Sequence, residues 1–224
     1  MTAPITIGSD RNAALARAKM VDSQVRPNQV NDRRVIEAMR ALPRENFVPA
    51  GVLAYTDADI PLGHGRFMAA PMLIARLVQL VLANNPKTVL VIGAGSGYAA
   101  ALLSACGAAV VALEEDDRLP GPALAAHAPS VQAVRGRLAD GWPGAAPYDV
   151  IFIEGAVAKI PASLAAQLAP GGRVVTVLAD GPVPPGLGRA VIAEPAGGSF
   201  ATAKMFDCTA RVLPAFQAAP AFVF

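Results

Sequence analysis

Residues 89–98 read Val-Leu-Val-Ile-Gly-Ala-Gly-Ser-Gly-Tyr. The run Val89 to Ile92 is apolar at every position, as a parallel strand covered on both faces must be. Gly93, Gly95 and Gly97 follow within five residues, and an alanine-rich run begins after Tyr98. The pattern is a strand, a glycine turn and a helix. Glycine lets the chain reverse sharply and lets a ligand approach main-chain N–H groups with no Cβ in the way. The helix start adds the positive end of a dipole. A tight turn with no ligand, with Ser96 as an N-cap, explains the same residues, so the turn needs a partner elsewhere in the chain.

Glu114 is that partner. It closes the next apolar run, Ala109 to Glu114, about twenty residues after the glycines, where a carboxylate can accept both hydroxyls of a ribose. Glu115, Asp116 and Asp117 follow directly, so a solvated strand-end charge is the competing explanation. Together the turn and the acid point to an adenosine-type cofactor. A dinucleotide fingerprint reads G-x-G-x-x-G, whereas here Tyr98 stands at the third glycine. A ring there crowds a pyrophosphate but not S-adenosyl-L-methionine, which has no phosphates. S-adenosyl-L-methionine is therefore the expected cofactor and NAD the minor alternative.

Downstream the patterns alternate: strands at 88–92, 109–114, 131–134, 149–153 and 173–178, with helices between them, including one near 160–168. Alternation of this kind gives right-handed crossovers and an open parallel sheet with helices on both faces. The last two runs, 189–193 and 201–206, are joined by Pro195-Ala-Gly-Gly-Ser199 with no helix between, which predicts a terminal antiparallel hairpin. Pro182 to Pro185 is a short proline-rich loop. Upstream, helical spacing of Val35, Met39 and Leu42 behind a candidate N-cap, Asn31, predicts at least two helices between Arg11 and Arg44. Residues 44–71 show neither period and read as an irregular loop. Pro71 opens a further helix that ends before Asn84-Asn85-Pro86. The chain is thus expected to be one domain over 1–224, with a helical and loop region at 1–86 and a cofactor-binding sheet at 87–224.

Bulk properties narrow the function. Nineteen Lys and Arg against 17 Asp and Glu give a net charge of +2 in 224 residues, too balanced for a nucleic-acid or anionic-membrane surface. The two histidines and two cysteines form no ligand-spaced cluster, so no metal is expected. A reduced, cytoplasmic location is expected, since Cys106 and Cys208 make no disulfide framework and the N-terminus lacks the order of a secretory signal. Residues 88–113 carry no charge, yet four glycines interrupt them, and a buried strand, turn and helix explain the run better than a membrane span.

Several segments together resemble the protein-L-isoaspartate O-methyltransferases: Met20-Val-Asp-Ser-Gln-Val, Arg34-Val-Ile-Glu-Ala-Met, Pro43-Arg-Glu-Asn-Phe-Val-Pro, Ala54-Tyr-Thr-Asp, Pro61-Leu-Gly-His-Gly, the glycine turn, Ala146-Pro-Tyr-Asp149, and Ile160-Pro with Gln167-Leu before Gly171-Gly-Arg. The resemblance implies an α/β fold: a Rossmann-like class I methyltransferase sheet, mostly parallel, with a terminal antiparallel hairpin and a helical N-terminal addition. It also implies methyl transfer from S-adenosyl-L-methionine to the free carboxylate of L-isoaspartyl residues in damaged proteins. The implied cofactor residues are Gly93, Gly95, Ser96, Gly97, Tyr98, Glu114, Arg137 and Leu138.

The chain departs from the family at three places. Ala69, in Phe67-Met-Ala-Ala-Pro71, stands where related members place a serine thought to position the substrate. Val91 replaces an acidic residue usual before the first glycine. Gly136-Arg137-Leu138 replaces a Gly-Asp-Gly segment, with Asp140-Gly141 as a shifted substitute. These residues leave two outcomes open: an active carboxyl methyltransferase in which Arg66 or His64 orients the substrate carboxylate beside Ala69, or a methyltransferase-like protein that binds a nucleoside cofactor or a protein segment without turnover.

Overall fold

Apolar periodicity at Val35, Ala38 and Met39 gives one N-terminal helix a face that needs a surface to pack on, and the helices covering the sheet supply it. The computed structural model describes residues 7–180 and 186–217; the proline-rich loop at 182–185 lies outside them. Helix α1 (Ile7–Met20) runs into a π-turn at Val21–Val25, and α2 (Arg33–Ala41) follows. The N-cap of α2 is Asp32 rather than Asn31: its side chain accepts the Arg34 N–H. Both orphan N–H groups at 31 and 32 are instead taken by Oε1 of Gln79, at 2.7 and 2.9 Å.

The segment expected to be an irregular loop contains a hairpin. Strand β1 (Ile60–Gly63) pairs antiparallel with β2 (Arg66–Met68), and neither joins the main sheet. Helix α3 (Pro71–Leu82) then leads to β3 (Thr88–Ile92), α4 (Tyr98–Ala105), β4 (Ala109–Glu114), α5 (Pro122–His127) and β5 (Gln132–Arg135). Strands β6 (Tyr148–Val157), β7 (Leu168–Ala179), β8 (Gly186–Ala196) and β9 (Ser199–Ala210) complete the chain. The predicted N-cap Ser96 is displaced here too: Gly97, at φ 86°, occupies that position before α4.

The seven strands lie in the order β5-β4-β3-β6-β7-β8-β9. Neighbours pair in parallel as far as β7, and β8 is antiparallel to both β7 and β9. The expected hairpin is present, and it is the penultimate strand that runs against the rest. Alternation along β3 sends Val89 and Val91 to one face and Leu90 and Ile92 to the other. The first face is packed against α2, α3, α4 and the turn at 21–25. The second is covered by Leu138, Trp142, Ile160, Leu164 and Leu213 from irregular segments. Helices were expected on both faces. The run at 162–167 is only a 3-10 segment, wedged between Pro161 and the start of β7, and it is too short to propagate an α-helix.

Among the described residues no helix is long and apolar enough to cross a membrane, and no three His, Cys, Asp or Glu are grouped to hold a metal. The uncharged run at 88–113 is β3, the glycine turn, α4 and most of β4.

Candidate cofactor and acceptor site

Parallel strands place their carboxyl ends, and the loops that follow, along one edge of the sheet, which is where open α/β sheets bind ligands. Here that edge carries the glycine turn after β3, Glu114 at the end of β4, and Glu154 near the end of β6. The β1–β2 hairpin and residues 211–216 lie over it.

Glu114 is fully buried, and its carboxylate organises the edge. Oε2 accepts the Gly95 N–H at 2.8 Å, and Oε1 accepts the N–H groups of Glu115 and Asp116 at 2.9 and 3.2 Å. Arg66, only 5% exposed, closes a fork on both oxygens: Nη1 donates to Oε1 at 2.9 Å and Nη2 to Oε2 at 2.8 Å. Nη2 also donates to the Gly93 carbonyl at 2.9 Å. A lone buried carboxylate would be strongly disfavoured, and the paired, hydrogen-bonded arrangement removes most of that cost.

The other cofactor residues fall into two groups. Gly93 and Gly95 sit at φ 74° and 55°, conformations that favour glycine, and a Cβ at either would meet Arg66, Leu213 or Leu62 within 3.1 to 3.3 Å. They line the edge. Tyr98 does not: it is fully buried, its ring lies edge-on to Phe47 at 5.4 Å, and Arg44 stacks on it at 5.0 Å. Burial pushes its hydroxyl up from the usual phenol range. Leu138 is buried in the second core face, while Arg137 is largely exposed, 3.9 Å from Asp140. Val91 is buried in the first core face, so no polar group replaces the acid that the family has there.

Ala69 lies on an adjoining cavity of about 30 Å³, lined also by Asp59, Phe67, Leu73, Glu154, Arg211 and Leu213. That is the space of about one water. Its polar groups are unusually placed. Among the described residues, Oε2 of Glu154 is closed to solvent with no hydrogen-bond partner, and the same holds for Nε of Arg211. Burial raises the Glu154 carboxyl well above the usual carboxylate range, against the opposing pull of Arg66. The Arg211 guanidinium stacks over Phe67 at 4.0 Å and approaches Asp59 at 3.7 Å. His64 lies outside this cavity, at φ 51° in the hairpin turn, against Arg118.

Arg44, from the Pro43-Arg-Glu-Asn-Phe-Val-Pro segment, ties the N-terminal region to this cavity. It is fully buried and donates to the carbonyls of Ala54 at 2.9 Å and Ala69 at 2.8 Å. Burial lowers its pKa from the ordinary guanidinium value. Glu45, next to it, accepts from Arg17 at 3.1 Å and from Tyr55, whose hydroxyl burial pushes up to about 12. Of these, Glu154 had a sequence signal: an acid directly after the apolar run of β6, as Glu114 is after that of β4. Arg211 had none; Arg44 lies in a segment that carries the resemblance, but its contacts come from distant parts of the chain and no local pattern marks them.

A mostly parallel seven-stranded sheet with one reversed strand, a glycine turn after its first strand and an acid ending its second define a class I methyltransferase. The family model described as Protein-L-isoaspartate(D-aspartate) O-methyltransferase (PCMT) matches residues 16–182. Protein-L-isoaspartate O-methyltransferase 1 of Rhodopseudomonas palustris (strain HaA2) is 40% identical over 168 residues, covering 72% of this chain and 69% of that one. Its namesake in Methylorubrum extorquens (strain PA1) is 39% identical over 179 residues, with 78% of each chain covered. A crystal structure of a putative protein-L-isoaspartate O-methyltransferase from Plasmodium falciparum, in complex with S-adenosyl-L-homocysteine, superposes with TM-score 0.74 over 89% of this chain and 98% of that one, at 14% identity; that likeness shows the fold. The chain belongs to the protein-L-isoaspartate O-methyltransferase family, S-adenosyl-L-methionine-dependent protein carboxyl methyltransferases.

Proposed function

We propose that this chain works as a single cytoplasmic domain that transfers a methyl group from S-adenosyl-L-methionine to a free carboxylate on a protein or peptide, with L-isoaspartyl residues as the first substrate class. The observation that carries the reading is the Glu114 carboxylate. It is held by three backbone N–H groups and presents its two oxygens to a pair of side-by-side donors. The Arg66 fork stands where vicinal ribose hydroxyls would donate, so the chemistry of the donor set fits an adenosine cofactor. Glu114 would hold the ribose, and the glycine turn would let the ligand lie against the main chain.

When bound, the cofactor supplies an electrophilic methyl group on a sulfonium. A substrate carboxylate is already ionised at neutral pH, so the chain needs no general base for this acceptor and contributes by placement. Arg211 fits the task of receiving that carboxylate. Its Nε has no hydrogen-bond partner among the described residues and only a 3.7 Å approach from Asp59, it lines the same cavity as Ala69, and stacking on Phe67 fixes its plane. Arg66, whose terminal nitrogens are engaged on Glu114 and Gly93, is less suited to that role than its loop position suggested. Arg44 positions the backbone at Ala69 from behind.

The test is mass spectrometry of an isoaspartyl peptide and its aspartyl counterpart after incubation with enzyme and S-adenosyl-L-methionine. A 14 Da gain on the isoaspartyl peptide alone, reversed by mild base as a methyl ester is, is the expected result. No gain on either peptide would favour the second reading, a binding protein without turnover, for which the missing hydroxyl at Ala69 and the small cavity speak.

A further inference from the structure

Glu114 receives more donors than it can serve. An ionised carboxylate offers about four lone-pair sites. Here it meets five donors: two from Arg66 and one each from the backbones of Gly95, Glu115 and Asp116. The three backbone donors belong to the turn and the strand end and stay with the fold. A ribose diol therefore finds no free lone pair while Arg66 is in place. The rest of the hairpin takes up the same space: Leu62 packs over Gly95 and Arg66 over Gly93, each within 3.3 Å of where a Cβ would be.

The hairpin has little pairing of its own at the tip. Its strands are four and three residues long and pair only with each other, and a two-stranded ribbon of that length has little stability of its own. Its turn, His64-Gly65, has φ 51° and 73°. Its base is anchored by Ile60 and Met68, which are buried in the main core, and its tip is tied to the sheet edge by the Arg66 fork.

We infer that Arg66 is an internal competitor for the cofactor site: its guanidinium occupies the two Glu114 oxygens that the ribose requires, so the adenosine moiety binds only when Arg66 and the tip of the β1–β2 hairpin withdraw. This makes Arg66 the residue that sets cofactor affinity in this chain. It rests on the proposed use of Glu114 but not on turnover. The arginine was expected to face the substrate, and its position gives it the opposite partner.

Calorimetric titration with S-adenosylhomocysteine tests this in the wild type, Arg66→Ala and Arg66→Met. Met keeps an unbranched apolar stem in the buried place of the arginine and lacks the donors, which guards against collapse of the Ala variant. Both variants are expected to bind at least tenfold more tightly than the wild type. Hydrogen exchange gives a second readout: amides 62–66, at the tip, should lose protection when the wild type is saturated. Equal or weaker affinity in the variants, no binding in any of the three proteins, or increased protection of 62–66 would each overturn the inference. Tight binding by Arg66→Met with no methyl transfer would leave it standing and defeat the proposed function. Equal affinities together with methyl transfer would do the reverse.

Discussion

Replacing Glu114 by Gln leaves the shape of the site and removes its charge, so the ion pair with Arg66 can be weighed directly. Both side chains are almost wholly buried, at 0% and 5% exposure, and the pair is bidentate. Removing one member of such a pair strands the other charge and costs about 3 to 5 kcal/mol, whereas an exposed pair is worth about 0 to 1. In a domain of this size a loss of about 3 to 5 kcal/mol lowers the melting temperature by roughly 6 to 20 °C. Arg66→Met should cost a similar amount, because Glu114 then keeps three backbone donors but loses its counter-charge. The double variant strands no charge. Its loss should fall short of the sum of the single losses by at least about 2 kcal/mol, well beyond the roughly 0.5 kcal/mol within which independent sites add. Urea unfolding followed by circular dichroism measures all four proteins. Single losses below about 1 kcal/mol, or additivity, would refute the reasoning that this pair is formed and buried.

Three further outcomes follow from the cavity. Ala69→Ser restores a hydroxyl beside Arg211 and should raise the rate of isoaspartyl methylation about tenfold to a hundredfold, the effect of about 1.5 to 3 kcal/mol from one hydrogen bond to a charged group; a steady-state assay reads it, and an unchanged rate would mean that the hydroxyl is not what limits turnover. Arg211→Ala should raise the peptide KM about tenfold or more with the cofactor KM unchanged, and a shift in the cofactor KM instead would place Arg211 in the wrong half of the site. For Glu154, burial raises the folded-state pKa, so between the ordinary carboxylate value and that raised one the folded chain holds a proton that the unfolded chain releases. The stability this contributes is full below the unfolded pKa and is lost as pH rises through the folded pKa. Glu154→Gln should therefore stabilise the protein more at pH 8 than at pH 4 in thermal melts, and a gain independent of pH would contradict the assignment.

Much of the sheet was legible because buried parallel strands are continuous apolar runs, and the glycine turn and Glu114 carry their spacing in the chain. The hairpin at 60–68 was not, since strands of four and three residues are too short to show a period of two. With the hairpin unseen, Arg66 read as a loop cation near a substrate. Its true partner lies 48 residues away, a relation that no local pattern encodes. The short 3-10 segment at 162–167 failed for a different reason: its spacing is compatible with a helix, but Pro161 and the start of β7 leave six residues for it. Tyr98 departs from the dinucleotide pattern in the sequence, but its ring turns away from the edge and packs with Phe47 and Arg44.

The most direct measurement of the whole account is the steady-state rate of isoaspartyl peptide methylation against S-adenosyl-L-methionine concentration, in the wild type and in Arg66→Met. If this chain is a methyltransferase whose cofactor must displace an internal arginine from Glu114, the variant should show a cofactor KM at least tenfold lower, with kcat changed by less than that factor. A cofactor KM that is equal or higher in Arg66→Met, with the peptide still methylated, would contradict it.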